Sequence, residues 1–286
     1  MTTRLALALL LAPALAHADP DPDVSATAEV AAPRPEGVVA PVKKRFYLRV
    51  GAVLVKPLSS SDPIALSDID GPASLAIQNG PIAGSGATVG SAVTPGLVIG
   101  YRLPYFHRRL SIETVLGAPF TVKFQSTGTL ANQSLAPTVL GIPTGVMALG
   151  PELGEIKAAP PVATVVYSLI DHGVVQPYVG AGIAVLFSYG AKVTNPILTA
   201  ISQPEMSVPP APGLVLQAGT DVKVYKEWYL RLDVKYVAFM EARAEVHNIV
   251  VATPDIPLFG DVEVGTAKLD VMVNPLIVQA GIGTDF

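Results

Sequence analysis

Across 286 residues the chain is 50% hydrophobic and only 15% charged, yet it carries 25 glycines and 27 prolines, a punctuation that argues against long helices and for many short strands. The formal net charge is -4 and no basic run exceeds Lys43–Arg45 or His107–Arg109, which argues against nucleic acid as a partner. With no cysteine, disulfides, thiolate metal sites and a cysteine nucleophile are excluded.

The first predicted element is a secretory signal peptide over residues 1–18. Arg4 precedes the apolar run LALALLLAPALA, which leads to the small-residue site Ala16-His17-Ala18. That run is shorter than the ~20 apolar residues a spanning helix needs. Residues 19–44 hold five prolines and no aromatic residue, and read as a flexible Pro-rich periplasmic arm.

From Arg45 onward the signal is alternation with period two. It recurs over Arg45–Pro57, Pro95–Leu103, Leu110–Phe120, Pro161–Leu169, Val175–Tyr189, Gly213–Val224, Trp228–Ala244 and Leu269–Phe286. In the seventh run Trp228, Leu230, Leu232, Val234 and Tyr236 form one face, while Arg231, Asp233 and Lys235 form the other. A soluble β-sandwich also alternates, so the links decide. After strands two, four and six they are short (PYFHRR, IDHGV, YKE), whereas after strands one, three, five and seven they span roughly residues 58–94, 121–160, 190–212 and 245–268. A membrane barrel sorts its links this way, with tight periplasmic turns at one end and long extracellular loops at the other. Hydrocarbon offers no partner for free backbone groups, so the sheet must close on itself. The expected fold is all-β: an eight-stranded antiparallel transmembrane β-barrel over residues 45–286, in the outer membrane, with both termini periplasmic.

The segments FYLRVGAVLVKP, GLVIGYRL, LSIETVLGAPF and VQPYVGAGIAVLFSYG, with the Phe-ended last strand, resemble the outer membrane protein W family. The resemblance runs in order from roughly Arg45 to Phe286. It implies an eight-stranded outer-membrane barrel and passive uptake of small hydrophobic molecules that leave sideways through the wall. The Pro-rich arm and the long Gly/Ala-rich first and second loops depart from the family's pattern.

Strand parity and direction assign the lumen independently of any family. Toward the loops the inward residues are apolar: Val53, Val55, Val98, Val115, Leu186, Val215, Val237, Phe239, Val271, Val273 and Ile277. Toward the turns they are charged: Arg49, Arg102, Glu113, Asp221, Lys223, Arg231, Asp233, Lys235 and Asp285. An eight-stranded barrel is just wide enough for side chains to fill, and buried charges persist only when paired. The expectation is an apolar funnel above a charged plug, admitting a solute from outside that escapes laterally. The alternative is a structural or surface-receptor barrel that conducts nothing. For the apolar loops, including Leu140, Ile142, Val146, Met147 and Leu149, both lining of a mouth and mutual packing stay open.

Catalysis finds little support. His107 and His172 fall in the short links and His247 in the last long one, and there is no G-x-S-x-G. The chain is read as not an enzyme, with no cofactor and no metal. The spacing of Gln279, Gly281 and Phe286 resembles the terminal signal read by the outer-membrane assembly machinery. The expected partners are therefore that machinery, outer-membrane lipids and small hydrophobic solutes.

Overall fold

The computed structural model describes residues 44–286, so the signal-peptide and arm expectations lie outside the described residues except for Lys44. Eight strands form the barrel: β1 Phe46–Lys56, β2 Ala92–Arg102, β3 Leu110–Gly117, β4 Val162–Ser168, β5 Val175–Val193, β6 Ala211–Tyr225, β7 Trp228–Ala238 and β8 Leu276–Asp285. Each pairs antiparallel with its sequence neighbours. β8 returns to β1 in a register running from Tyr47↔Asp285 to Lys56↔Leu276. At that seam the Phe46 amide donates to the Phe286 carbonyl at 3.0 Å, and the Phe286 amide donates back at 2.9 Å.

Alternation sets the two faces. Val50, Leu54, Ile99, Leu216, Leu232 and Ile282 project outward and are exposed, whereas Arg49, Val53, Val98, Val215 and Arg231 point inward and are buried. The outward set is the apolar band a barrel turns toward lipid. Phe286 stacks on Phe46 at 6.0 Å, and Phe46 meets Tyr101 at 4.9 Å, so aromatic residues gather at the turn end of the seam.

Three strands end earlier than alternation alone predicts, each for a backbone reason. β7 stops at Ala238 because Phe239 adopts a left-handed conformation (φ 59°), which a bulky residue rarely accepts. β8 begins only at Leu276, after Asn274 (φ 33°) and Pro275. β3 ends at Gly117, before Ala118 and Pro119, since proline brings no amide to a ladder. The alternating runs beyond Phe239 and before Asn274 are strands, but they belong to a hairpin of their own, Glu241–Ala252 against Asp261–Met272.

The long links therefore fold rather than trail. One wall at the loop end is built from Ser85–Val89, Phe120–Gly128, Glu152–Ala159 and the far half of β5. The facing wall is the 241–272 hairpin, extended by Glu205–Ser207 on one edge and Ala65–Ser67 on the other. Short helices at Gly71–Leu75 and Thr129–Asn132 and the small hairpin Thr138–Val139/Ile142–Pro143 complete the loop end.

Candidate functional site

At the turn end the lumen is filled by a polar layer. Tyr47 from β1 lies flat across the neighbouring strand because Gly100 has no side chain: a Cβ there would sit 1.9 Å from the tyrosine Cζ. Tyr178 is accommodated in the same way over Gly219, where a Cβ would approach its hydroxyl to 2.4 Å. The two phenols frame Arg231, whose guanidinium lies 5.4 Å from one ring centre and 4.7 Å from the other.

Arg231 grips Asp221 through two hydrogen bonds of 2.8 and 3.0 Å and donates to Glu113 at 2.7 Å. Tyr47 donates to the same Glu113 at 2.6 Å. Arg49 joins Asp221 (3.3 Å) to Asp285 (2.9 Å), and Arg102 meets the other oxygen of Asp285 at 2.9 Å. Asp233 takes Tyr178 at 2.7 Å, Gln217 at 2.6 Å and the Lys235 ammonium. Four cations (Arg49, Arg102, Arg231, Lys235) thus meet four carboxylates (Glu113, Asp221, Asp233, Asp285), all buried, and the layer carries no net charge. Paired and hydrogen-bonded on most sides, these ions survive removal from water, which unpaired ones would not.

Lys223 does not join them. Its parity is inward, but it lies one inward step beyond Asp221, close to where the β6–β7 register shifts, and it is exposed at the turn end. Below it the turns are pinned at the surface. Arg109 bonds both oxygens of Asp171 at 3.0 and 3.1 Å, and His172 meets that carboxylate at 2.9 Å. The His172 and Arg109 hydrogen bonds hold the Asp171 pKa down to about 2.

Above the polar layer the lumen becomes apolar within one register step. Gln279 faces Val53 across the β1–β8 ladder, and Gln279 Nε2 has no hydrogen-bond partner among the described residues. Val53, Val98, Val115 and Val215 are buried around it. Higher still, Val55, Leu186, Val237, Val273 and Ile277 line an apolar cavity of about 50 Å³. Val271 is fully buried in the loop-end hairpin.

Phe239 is a correction. It is 71% exposed, because the left-handed turn at this residue swings its ring outward. Met240, which simple alternation places toward lipid, is 2% exposed and lines the cavity instead.

A second, larger cavity of about 150 Å³ lies between the loop-end walls. Its lining includes Ile64, Leu66, Leu130, Val146, Met147, Leu149, Met206, Ile249 and Phe259, with Thr144 among its few polar neighbours. Leu140 and Ile142 face away, exposed at the tip of the small hairpin. The second-loop residues thus divide, Val146, Met147 and Leu149 lining and Leu140 and Ile142 not. Phe124, 3% exposed, lines both cavities. It is the partition between them, and alternation in FTVKFQS (Phe120, Val122, Phe124 and Ser126 on one face) was the signal that could have found it.

The wall beside the smaller cavity is interrupted. The β2–β3 ladder ends at Gly96↔Gly117 and the next resumes in the same register at Val89↔Phe124. Between them the Ala118 amide reaches Pro95 O at 3.1 Å, the Gly90 amide reaches Lys123 O at 3.0 Å, and Thr94 Oγ1 donates to Ala118 O at 2.9 Å. Among the described residues no ladder joins 91–94 to 119–122. Pro160 and Pro161 break the neighbouring strand at the same level, and Gly90, Phe120 and Pro160 all line the small cavity.

This closed eight-strand barrel, with long links gathered at one end, meets a family pattern over residues 46–286. The chain belongs to the OmpW family. Outer-membrane location follows from that membership, and no helix among the described residues is long and apolar enough to cross a membrane. The crystal structure of the outer membrane protein OprG from Pseudomonas aeruginosa shares the fold, with a TM-score of 0.63 over 85% of this chain and 96% of that one, at 22% identity. By sequence the chain is 24% identical to the dibenzothiophene metabolism operon protein PahQ of Pseudomonas aeruginosa, over 62% of this chain and 64% of that one. It is 27% identical to an uncharacterized outer-membrane protein of Sinorhizobium fredii, over 60% of this chain and 67% of that protein. The matched region spans under two thirds of PahQ.

Proposed function

We propose that this barrel admits small, uncharged apolar molecules passively from outside the cell and releases them sideways into the membrane. The observation that carries the proposal is the sequence of spaces along one axis: an apolar cavity of about 150 Å³, a partition at Phe124, a smaller apolar cavity beside an interrupted wall, then a filled, charge-paired floor. An apolar solute has no reason to descend into paired ions, since it would displace hydrogen bonds and return none. The gap at residues 91–94 and 119–122 leaves it a lateral path, and the prolines there leave few ladder bonds to break.

Size supports the solute class. An engineered protein cavity of about 150 Å³ lined by aliphatic and aromatic side chains stays dry and takes up benzene. A relative whose name places it in a dibenzothiophene metabolism operon fits a neutral aromatic solute of that kind. Within this reading the loop end faces the exterior and both barrel ends of the chain face the periplasm. Phe286, exposed on the lipid side of the seam, serves as the mark by which assembly machinery recognises the closing strand, with Gln279 and Gly281 on the inward face of the same strand.

The test is the rate at which intact Gram-negative cells producing the protein take up a neutral aromatic hydrocarbon. Phe124→Trp, which thickens the partition, should reduce that rate several-fold with barrel abundance unchanged. Wild-type cells that take up the solute no faster than cells lacking the protein would leave a structural or receptor barrel as the better account.

A further inference from the structure

The two loop-end walls differ in charge on their outer surfaces. On the 241–272 hairpin, Arg243 is held by Glu241 (3.2 Å) and Asp270 (3.8 Å), and Lys268 by Glu245 (3.7 Å). Two cations there meet three carboxylates. The opposite wall has the reverse balance. Lys123, Glu155 and Lys192 stand in one row across three adjacent strands, with Lys157 one row nearer the barrel on the same face. Lys192 pairs with Glu155 at 2.9 Å, while among the described residues Lys123 and Lys157 make no ion pair. Hydrogen bonding from Lys192, with the other two ammonium groups behind it, holds the Glu155 carboxyl below its usual range. Three cations therefore surround Glu155, with Glu152 one row farther out and taken by Thr194 at 3.0 Å, on the outside of a wall whose inner face is the cavity lining Phe124 and Ile156.

The height of this row matters. Tyr189 pairs with Lys157, and Phe187 pairs with Ala159 directly beneath. Both rings are nearly half exposed, and below them Ile183 and Val179 continue the outward apolar face of β5. From Pro177 to Tyr189 the strand climbs roughly 30 Å along the barrel axis, at about 3.3 Å per residue and a tilt of about 40°. The apolar band of such a barrel is about 25 Å tall and ends in an aromatic girdle. Lys157 thus stands level with the girdle, and Lys123 and Lys192 just past it, where acyl chains give way to headgroups.

We propose that this face holds a phosphorylated glycolipid of the outer leaflet, its phosphates on Lys123, Lys157 and Lys192 and its acyl chains along Phe187 and Ile183. The lysine ammonium groups are flexible point charges suited to phosphate, and Lys123 and Lys192, two strands apart, are spaced roughly 10 Å from each other. The proposal shares with the proposed function only the outward orientation of the loop end. It makes no use of the cavities.

The experiment counts lipids retained by the full protein, refolded free of lipopolysaccharide and placed in phosphatidylcholine nanodiscs doped with lipid A, by native mass spectrometry. Wild-type protein should retain lipid A, and the K123Q/K157Q/K192Q variant should lose at least ten-fold in retention. E155Q, which removes the competing carboxylate, should increase it, and R243Q/K268Q on the opposite wall should leave it unchanged. Equal retention by the triple variant overturns the proposal. So does equal retention of phosphatidylglycerol, which would mean attraction to any anionic surface, or displacement by millimolar inorganic phosphate, which would mean a site for the free ion. Labelling of Leu140→Cys, at the exposed tip of the small loop-end hairpin, on intact cells by a membrane-impermeant maleimide supports the orientation, and its failure sinks both proposals. Loss of solute uptake with lipid retention intact would sink the proposed function alone.

Discussion

The lower half of the lumen is walled by the eight barrel strands alone, whereas the space above is walled also by Val122, Phe124, Ile156 and Ala242 from the loop-end strands, and one is full while the other is hollow. Below, long charged side chains and two phenols interlock until Arg49, Glu113 and Arg231 are almost wholly buried. Above, valines replace them, and short branched side chains cannot meet across a bore that tyrosine and arginine span. A bore closed by eight strands is only just wide enough for side chains to fill, so side-chain reach helps decide where space remains. A closed floor and a hollow upper chamber thus follow from side-chain length below and from the loop-end strands that take over the wall above.

The sharpest way to break the lower half is to remove its central cation. Arg231→Met strips Asp221 and Glu113 of their main partner, and truncating one side of such a buried network costs about 3–5 kcal/mol. Urea unfolding of the refolded barrel in lipid vesicles should show that loss. The double variant Arg231→Met/Asp221→Leu should recover most of it, because three cations then face three carboxylates, Arg49 keeps Asp285, and Glu113 keeps its hydrogen bonds from Tyr47 and Gln217. If the single variant is as stable as wild type, the floor is not held by its ion pairs.

The upper half is tested by the reverse change. Val237→Asp places a carboxylate in an apolar cavity with no cation in its lining, and uptake of a neutral aromatic solute should fall by roughly ten-fold or more, in line with a burial penalty of a few kcal/mol. Phe239→Asp, two residues away but facing outward, should leave uptake within two-fold of wild type. Equal losses in the two variants would mean that the bend at Phe239 does not reorient its ring.

At the turn end the expected effect is smallest. Asp171 is held to a pKa of about 2 by His172 and Arg109, against an unfolded value near 3.9. A lowered folded pKa means the carboxylate stabilises the fold above about pH 4 and loses that contribution as the pH falls toward 2. Because the group lies near the surface, solvent screens most of it. Comparing wild type with Asp171→Asn, the stability difference should shrink across that window and be flat above it.

Most of this comparison was legible in the residues. Alternation put Arg231, Asp233 and Lys235 on one face of β7, and strand direction put them low. Parity fixes a face, however, and not a height: Lys223 has the inward parity of Asp221 yet lies far enough along β6 to reach solvent. Nor does alternation survive a left-handed residue, which is why Phe239 and Met240 exchanged places. The larger cavity was out of reach for a different reason. Its walls join segments far apart in the chain, such as Ala65–Ser67 with Asp261–Met272, and local periodicity carries no record of which loop strand meets which. Phe124 shows the intermediate case, a residue whose alternation was visible but whose segment read as a link.

The β1–β8 seam bears on the order in which the molecule forms. Its ladder joins the earliest and the latest barrel strands, so every pairing that does not involve β8 is available before this one. Contacts so distant along the chain are slow to find because the intervening segment must first be confined. Until β8 docks, β1 and β7 each carry a row of unpaired amides and carbonyls that hydrocarbon cannot satisfy. A chain halted before its last strand therefore has no stable place in the membrane, and insertion and completion become a single event.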